Sequence, residues 1–226
     1  MKKPNLLHVP AILIALFSLS EARFYMGVDI GQVYSMMDKS SEEQTTYFGT
    51  SSTVVPAYHI KNAYKGYGYL INLNLGNEYH FDDKNMFGLR WIGSIGYGNT
   101  NLIQQDYGIQ YFSHMLNLSI GIDALFDVIQ IDEKNTLGFF IGLESGWVVF
   151  SSNATYMDGK NRFPLINALS LLLTPRFGVL LFENDHHRIE VIGKVPVYNY
   201  NVNETEYGVY YFATPYEVML GYKYIF

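Results

Sequence analysis

The chain has 226 residues, a formal charge of −6 and no cysteine. Lack of cysteine excludes disulfides, thiolate metal sites and thiol nucleophiles, and the absence of any basic run leaves no nucleic acid partner expected. Aromatic residues make up 16%, with 20 Tyr against 2 Trp; a soluble sandwich can reach that content, but a membrane barrel needs it, because rings line both membrane interfaces.

The start of the chain carries Met1, Lys2 and Lys3, then an apolar run from about His8 to Leu19, then Ser20, Glu21 and Ala22. A positive region, an apolar stretch and small residues before a cut form the pattern of a secretory signal peptide. The alternative is an uncleaved anchor, but the run falls short of the roughly 20 residues that span a bilayer. Cleavage between Ala22 and Arg23 is therefore expected, with residues 1–22 removed and 23–226 forming one outer-membrane barrel domain. Removing Lys2, Lys3 and Glu21 takes away +2 and −1, so −6 becomes −7. The other leucine-rich stretch, Leu165 to Phe182, is interrupted by Thr174, Pro175 and Arg176, where a helix in lipid would suffer most.

The rest reads as strands with a period of two. The first runs from Phe24 to about Met36, with Phe24, Met26, Val28 and Ile30 opposite Tyr25, Gly27, Asp29 and Gly31; its alternation breaks at Gln32. Tyr67 to Phe81 is the clearest, with Tyr69, Ile71, Leu73 and Leu75 against Gly68, Asn72, Asn74 and Gly76. Similar strands follow at 86–98, 112–127, 137–150, 169–182, 188–198 and 214–226. Pro175 and Pro196 fall inside two of them, and each predicts a bulge or a strand end, because proline cannot donate to the ladder.

About eight strands predict an all-β, up-and-down antiparallel transmembrane barrel, an even number with both chain ends on one side. The connections near 82–85, 132–135 and 183–187 are short, and those near 37–66, 99–111, 151–168 and 199–213 are long. Short turns face the periplasm and long loops the cell surface, so the expected location is a bacterial outer membrane with the long loops outside. Tyr67, Tyr97, Phe112, Trp147, Tyr198 and Tyr216 then form an outer girdle, and Phe24, Phe81, Phe87, Phe126, Phe139 and Phe226 an inner one.

Alternation alone does not say which face is inside; a small soluble ligand-carrying barrel would turn the apolar face inward. The bulky apolar face, the glycine-rich polar face, the signal pattern and the terminal Phe226 favour lipid outside. The lumen then holds Asp29, Glu78, Arg90, Asp123, Glu144, Arg176, Glu190, Lys194, Glu217 and Lys223. Both signs are present, and an eight-stranded interior is just wide enough for side chains to fill, so a paired network plugging the lumen is expected.

Several stretches resemble a known family. Gly66-Tyr67-Gly68, Met86-Phe87-Gly88-Leu89-Arg90-Trp91, Gly121-Ile122-Asp123-Ala124-Leu125, Leu137-Gly138-Phe139-Phe140-Ile141-Gly142, Glu190-Val191-Ile192-Gly193-Lys194-Val195-Pro196 and Leu220-Gly221-Tyr222-Lys223-Tyr224-Ile225-Phe226 are similar to the Helicobacter-type outer membrane protein family. The resemblance covers roughly Tyr67 to Phe226. It implies a surface-exposed barrel in a family whose members include adhesins and porins; the large extracellular domain of the adhesins is missing here. Tyr222, Tyr224 and Phe226 also resemble the last-strand signal read by the barrel-assembly machinery, which would make that machinery a partner beside outer-membrane lipid.

No chemistry is expected. Ser113 and His114 are adjacent on one strand and point to opposite faces, so they cannot form a nucleophile–base pair. His114 reads as a girdle residue, and His186-His187 as a solvated turn without companion metal ligands. No cofactor is indicated. The expected role is structural, or interaction with host or neighbouring surface molecules through the long loops, above all 37–66; the alternatives are a small porin-like channel and a lipid-modifying barrel enzyme.

Overall fold

The computed structural model describes residues 22–48, 51–81, 86–104, 110–132, 135–152, 155–158, 161–164, 167–183, 186–197, 201–205 and 208–226. The signal pattern, the turn at 82–85 and Tyr198 lie outside the described residues. The strands are β1 (Arg23–Ser41), β2 (Gln44–Phe48), β3 (Ser51–Val55), β4 (Tyr58–His80), β5 (Phe87–Gln104), β6 (Gln110–Gln130), β7 (Thr136–Ser152), β8 (Thr155–Asp158), β9 (Asn161–Pro164), β10 (Asn167–Glu183), β11 (His187–Lys194), β12 (Asn201–Thr205) and β13 (Gly208–Ile225). No helix among the described residues is long and apolar enough to cross a membrane.

Eight strands close a ring in the order β1, β4, β5, β6, β7, β10, β11, β13, and β13 pairs back with β1. Every pairing is antiparallel. The Phe226 amide donates to the Phe24 carbonyl at 2.9 Å, tying the last strand to the first at the inner rim. β12 extends the wall beside β13, while β2–β3 and β8–β9 are separate two-stranded hairpins.

The register gives the barrel its shape. Gly142 pairs with Arg176, Arg176 with Lys194, Lys194 with Glu217 and Glu217 with Val33. Val33 pairs with Gly68, Gly68 with Thr100, Thr100 with Ser113 and Ser113 with Ser152. One circuit thus climbs β7 from Gly142 to Ser152, a stagger of ten residues. Strand stagger and tilt are linked, the usual tilt being about 35–45°. Phe24 and Tyr34, Tyr69 and Tyr79, Phe87 and Tyr97, and Tyr216 and Phe226 are each ten residues apart on an outward face. At about 3.3 Å per residue and a tilt of about 40°, ten residues rise about 25 Å, the height of an outer-membrane apolar band.

The strands run far past the outer girdle, which corrects the loop assignment. β1 continues to Ser41 and β4 starts at Tyr58; β5 and β6 leave only 105–109 between them. Within 37–66 and 151–168, the polar stretches fold into the β2–β3 and β8–β9 hairpins. Nor does the alternation of β1 stop at Gln32: Gln32 is exposed and Val33, Ser35 and Met37 are buried. Only the chemistry of the two faces changes there.

Pro196 follows the end of β11 at Lys194, but Pro175 does not break its strand: Pro175 pairs with Leu143 in unbroken register. The Pro175 carbonyl accepts from Val195, so its nitrogen also faces β11, and the ladder with β7 loses nothing.

Candidate functional site in the barrel lumen

Inward positions along each strand meet in the lumen, and they sort into layers. At the inner mouth, Arg23 Nη2 lies 3.1 Å from Glu78 Oε1 and 3.1 Å from His80 Nδ1. His80 Nε2 is 3.3 Å from Asp127 Oδ2. Arg188 pairs with Glu78, and the guanidinium groups of Arg188 and Arg23 sit 5.0 and 5.3 Å from the Phe182 ring centre. His80, the last residue of β4, is buried inside the wall.

The next layer is charged. Arg90 donates from Nε and Nη2 to Asp123 Oδ2 at 3.0 and 2.7 Å, and from Nη1 to Glu190. Lys223 Nζ donates to Glu190 Oε2 at 2.6 Å and to Asp29 Oδ1 at 3.2 Å. Arg176 lies 3.3 Å from Asp123 and 3.4 Å from Glu144. Lys194 Nζ is 2.8 Å from Glu144 Oε2, and Glu217 stands opposite Lys194 in the ladder. The Phe140 ring is wedged between Arg90 and Arg176, at 5.0 and 5.4 Å.

All ten charged side chains assigned to the lumen from the sequence are buried in it, where the cations alternate with carboxylates. Buried charge is tolerable only when paired and hydrogen-bonded; most of this layer is paired across the barrel rather than along one strand, while Asp123 Oδ1 and Arg176 Nε and Nη2 make no hydrogen bond among the described residues. Small residues make the space. A Cβ on Gly76 would stand 2.6 Å from the Tyr25 hydroxyl; Tyr25 passes over that glycine to donate to the Trp91 carbonyl at 3.1 Å.

Above the charges the lumen turns neutral. Ser35 Oγ lies 3.2 Å from both Thr100 Oγ1 and Thr214 Oγ1, and Asn117 donates to Asn72 at 3.4 Å. Higher still it is apolar: Met37, Tyr64, Leu102, Met115, Phe150 and Phe212 are buried, with the Phe150 and Phe212 rings 4.4 Å apart. Lys39 Nζ caps this layer, 5.6 and 5.7 Å from the Tyr58 and Tyr210 rings. The lumen is thus filled in two chemistries, charged toward the inner side and apolar toward the outer side. The sequence reading named only the charged part. The apolar part carried a signal, since Leu70, Leu102, Met115 and Phe150 share the parity of the inward glycines and serines.

The remaining candidates lie on the outside. His114 stacks on Tyr97, with His114 Nδ1 2.9 Å from the Tyr97 hydroxyl, while Ser113 is buried on the other face. His186 is an exposed turn residue, and His187 opens β11 half-buried. His186 Nδ1 is 2.8 Å from the Ile225 carbonyl oxygen and His187 Nδ1 2.8 Å from the Tyr222 hydroxyl, so both pack on the last strand. Among the described residues no group of three or more His, Cys, Asp or Glu could hold a metal ion. Tyr222, Tyr224 and Phe226 all face outward; Phe226 lies 5.0 Å from Tyr224 and 5.6 Å from Phe24, ring centre to ring centre.

No curated protein is detectably similar to the chain in sequence. Among solved structures, the attachment invasion locus protein Ail of Yersinia pestis is similar at 15% identity and a TM-score of 0.36, over 89% of this chain and 98% of Ail. The outer membrane protein OprG of Pseudomonas aeruginosa matches at 12% identity and a TM-score of 0.46, over 88% of this chain and 95% of OprG. The outer membrane protease OmpT of Escherichia coli matches at 10% identity and a TM-score of 0.40, over 90% and 97%. The model of the Helicobacter outer membrane protein family matches residues 72–226, from the middle of β4 through the whole closing wall. The chain belongs to the Helicobacter outer membrane protein family, as a β-barrel of the bacterial outer membrane.

Proposed function

We propose that this protein is a closed, non-enzymatic barrel that serves the cell surface structurally and through contacts made by its extracellular parts with host or neighbouring surface molecules. One observation carries the reading: among the described residues, buried side chains fill the lumen from the charged inner layers to the apolar outer one, while the wall continues above the outer girdle to two hairpins that form their own two-stranded sheets. A solute travelling along the axis would have to displace both the paired charges and the apolar layer. Ser113 and His114 lie on opposite sides of the wall, which supports the non-enzymatic reading. In this proposal residues 1–22 are a signal peptide cut after Ala22, and Tyr222, Tyr224 and Phe226 are read by the assembly machinery as the barrel closes.

The test joins a measurement on the purified barrel with one on cells that display it. In planar bilayers it passes no stable current, and cells displaying it adhere to neighbouring cells or host surfaces more than cells displaying a loop-trimmed form. Stable solute-passing channels, or adhesion indifferent to the loops, overturn the proposal. Release of acyl chains from lipid A by the purified protein would overturn its non-enzymatic part.

A further inference from the structure

A groove of about 440 Å³ runs along the outside of the wall where β1, β4 and β5 meet, lined by Tyr34, Lys65, Gly66, Tyr67, Asn101 and Ile103. The ladder builds it. Tyr67 pairs with Tyr34 on one side and Asn101 on the other, and Lys65 pairs with Met36 and Ile103. Facing partners on neighbouring strands stand on the same side of a sheet, so Tyr34, Lys65, Asn101 and Ile103 share the outward face of Tyr67. The Tyr34 and Tyr67 rings lie 5.0 Å apart, and Tyr216 stacks on Tyr34 at 5.2 Å.

Height decides what can fill it. Lys65 stands two residues above Tyr67 of the outer girdle. At about 3.3 Å per residue and a tilt of about 40°, two residues rise about 5 Å. The headgroup layer outside the hydrocarbon core is about 5–7 Å deep on each face. The Lys65 ammonium therefore stands among the headgroups of the outer leaflet. Directly below, exposed Tyr69, Ile71, Leu73 and Ile95 carry the same face down into the hydrocarbon, where acyl chains run.

The chemistry of the lining narrows the occupant further. Lys65 is exposed and makes no ion pair among the described residues. Asp38, two residues past its ladder partner Met36, is already engaged by the Asn62 amide at 2.7 Å and by His59 at 3.7 Å. An ammonium in the headgroup layer suits a phosphate, which accepts charge-assisted hydrogen bonds. Asn101 Nδ2 reaches Gln110 Oε1 at 3.4 Å, while Asn101 Oδ1 has no donor among the described residues and suits a hydroxyl. Tyrosine offers an apolar ring face with a polar tip, which matches a sugar ring. Phosphate, hydroxylated ring and acyl chains together describe a phosphorylated sugar lipid. A glycerophospholipid such as phosphatidylglycerol brings the phosphate and the chains but no ring to set against the tyrosines.

We propose that this groove binds the phosphorylated sugar headgroup of an outer-leaflet lipid, one molecule of lipid A per barrel, with Lys65 on its phosphate. The site lies on the lipid side of the wall and is independent of the surface contacts made by the hairpins.

The test titrates the purified full-length protein in a non-ionic detergent with monophosphorylated lipid A and counts bound lipid by native mass spectrometry. Wild type takes up one molecule, and the same lipid stripped of its phosphate, or phosphatidylglycerol, binds several-fold more weakly. Lys65→Ala lowers the affinity about tenfold, the effect of losing a hydrogen bond to a charged group. Lys65→Gln, closer in length, does the same, and Lys65→Arg keeps most of the affinity. Unchanged affinity in Lys65→Ala and Lys65→Gln overturns the proposal. So does equal binding of the dephosphorylated lipid by wild type, a result that needs no variant to fold. Equal binding of phosphatidylglycerol, or displacement of lipid A by inorganic phosphate alone, overturns it as well.

Discussion

Arg90 binds two carboxylates on two different strands, Asp123 and Glu190, and is almost completely buried. Replacing it with Ala leaves both anions facing each other in a space that admits little water. Removing one partner of a buried ion pair costs about 3–5 kcal/mol, so Arg90→Ala should lower the urea midpoint of the refolded barrel by a large margin. Arg90→Lys keeps the charge but loses the planar fork that spans both acids, and should fall between. Equal midpoints for wild type and Arg90→Ala would show that the network is not holding the wall. A milder case is Tyr25→Phe, which loses the hydrogen bond to the Trp91 carbonyl and should cost about 1 kcal/mol in the same assay. That these charges point inward was legible, because a period of two assigns a face without any tertiary knowledge. Their partners were not: Arg90 and Glu190 are 100 residues apart in sequence, and only the ten-residue stagger of the closed ring brings them level.

The element scale shows why strand ends were misread. Within the membrane the outward face is apolar and the inward face polar. Past the outer girdle the surroundings exchange, with water outside and a packed apolar layer inside. On β4 and β5, Lys65 and Asn101 now point outward, while Tyr64 and Leu102 are buried. The apolar-outward pattern ends at the girdle, although the strand does not. The strand in fact continues with its pattern inverted, as in a soluble barrel. The consequence is measurable. Leu102→Asn puts an amide without partners into the upper layer and should cost about 2 kcal/mol or more. Asn101→Leu, one residue away and outward, should stay within about 0.5 kcal/mol of wild type. Thermal or urea unfolding of the two variants decides it; if they are equally harmful, the upper wall is not a packed barrel.

At the scale of the whole molecule, closure depends on the eight wall strands and on the rim where Phe226 meets Phe24, whereas the hairpin between β1 and β4 contributes to neither. β2 and β3 pair only with each other, and Ser41 and Tyr58, on either side of them, face each other as ladder partners. Facing partners of an antiparallel pair can be joined by a two-residue turn, for which Asn-Gly has the required backbone. Replacing residues 42–57 by Asn-Gly should therefore give a barrel that assembles, resists unfolding as the full chain does and stays closed to current. A shorter loop also costs less to order, by only about 0.6 kcal/mol per halving, so no large gain in stability is expected either. What the trimmed barrel should lose is adhesion to whatever surface the hairpin touches. A trimmed barrel that fails to fold would mean the hairpin belongs to the wall. One that folds and still adheres would move the contact to the β8–β9 hairpin, where the same excision can be repeated.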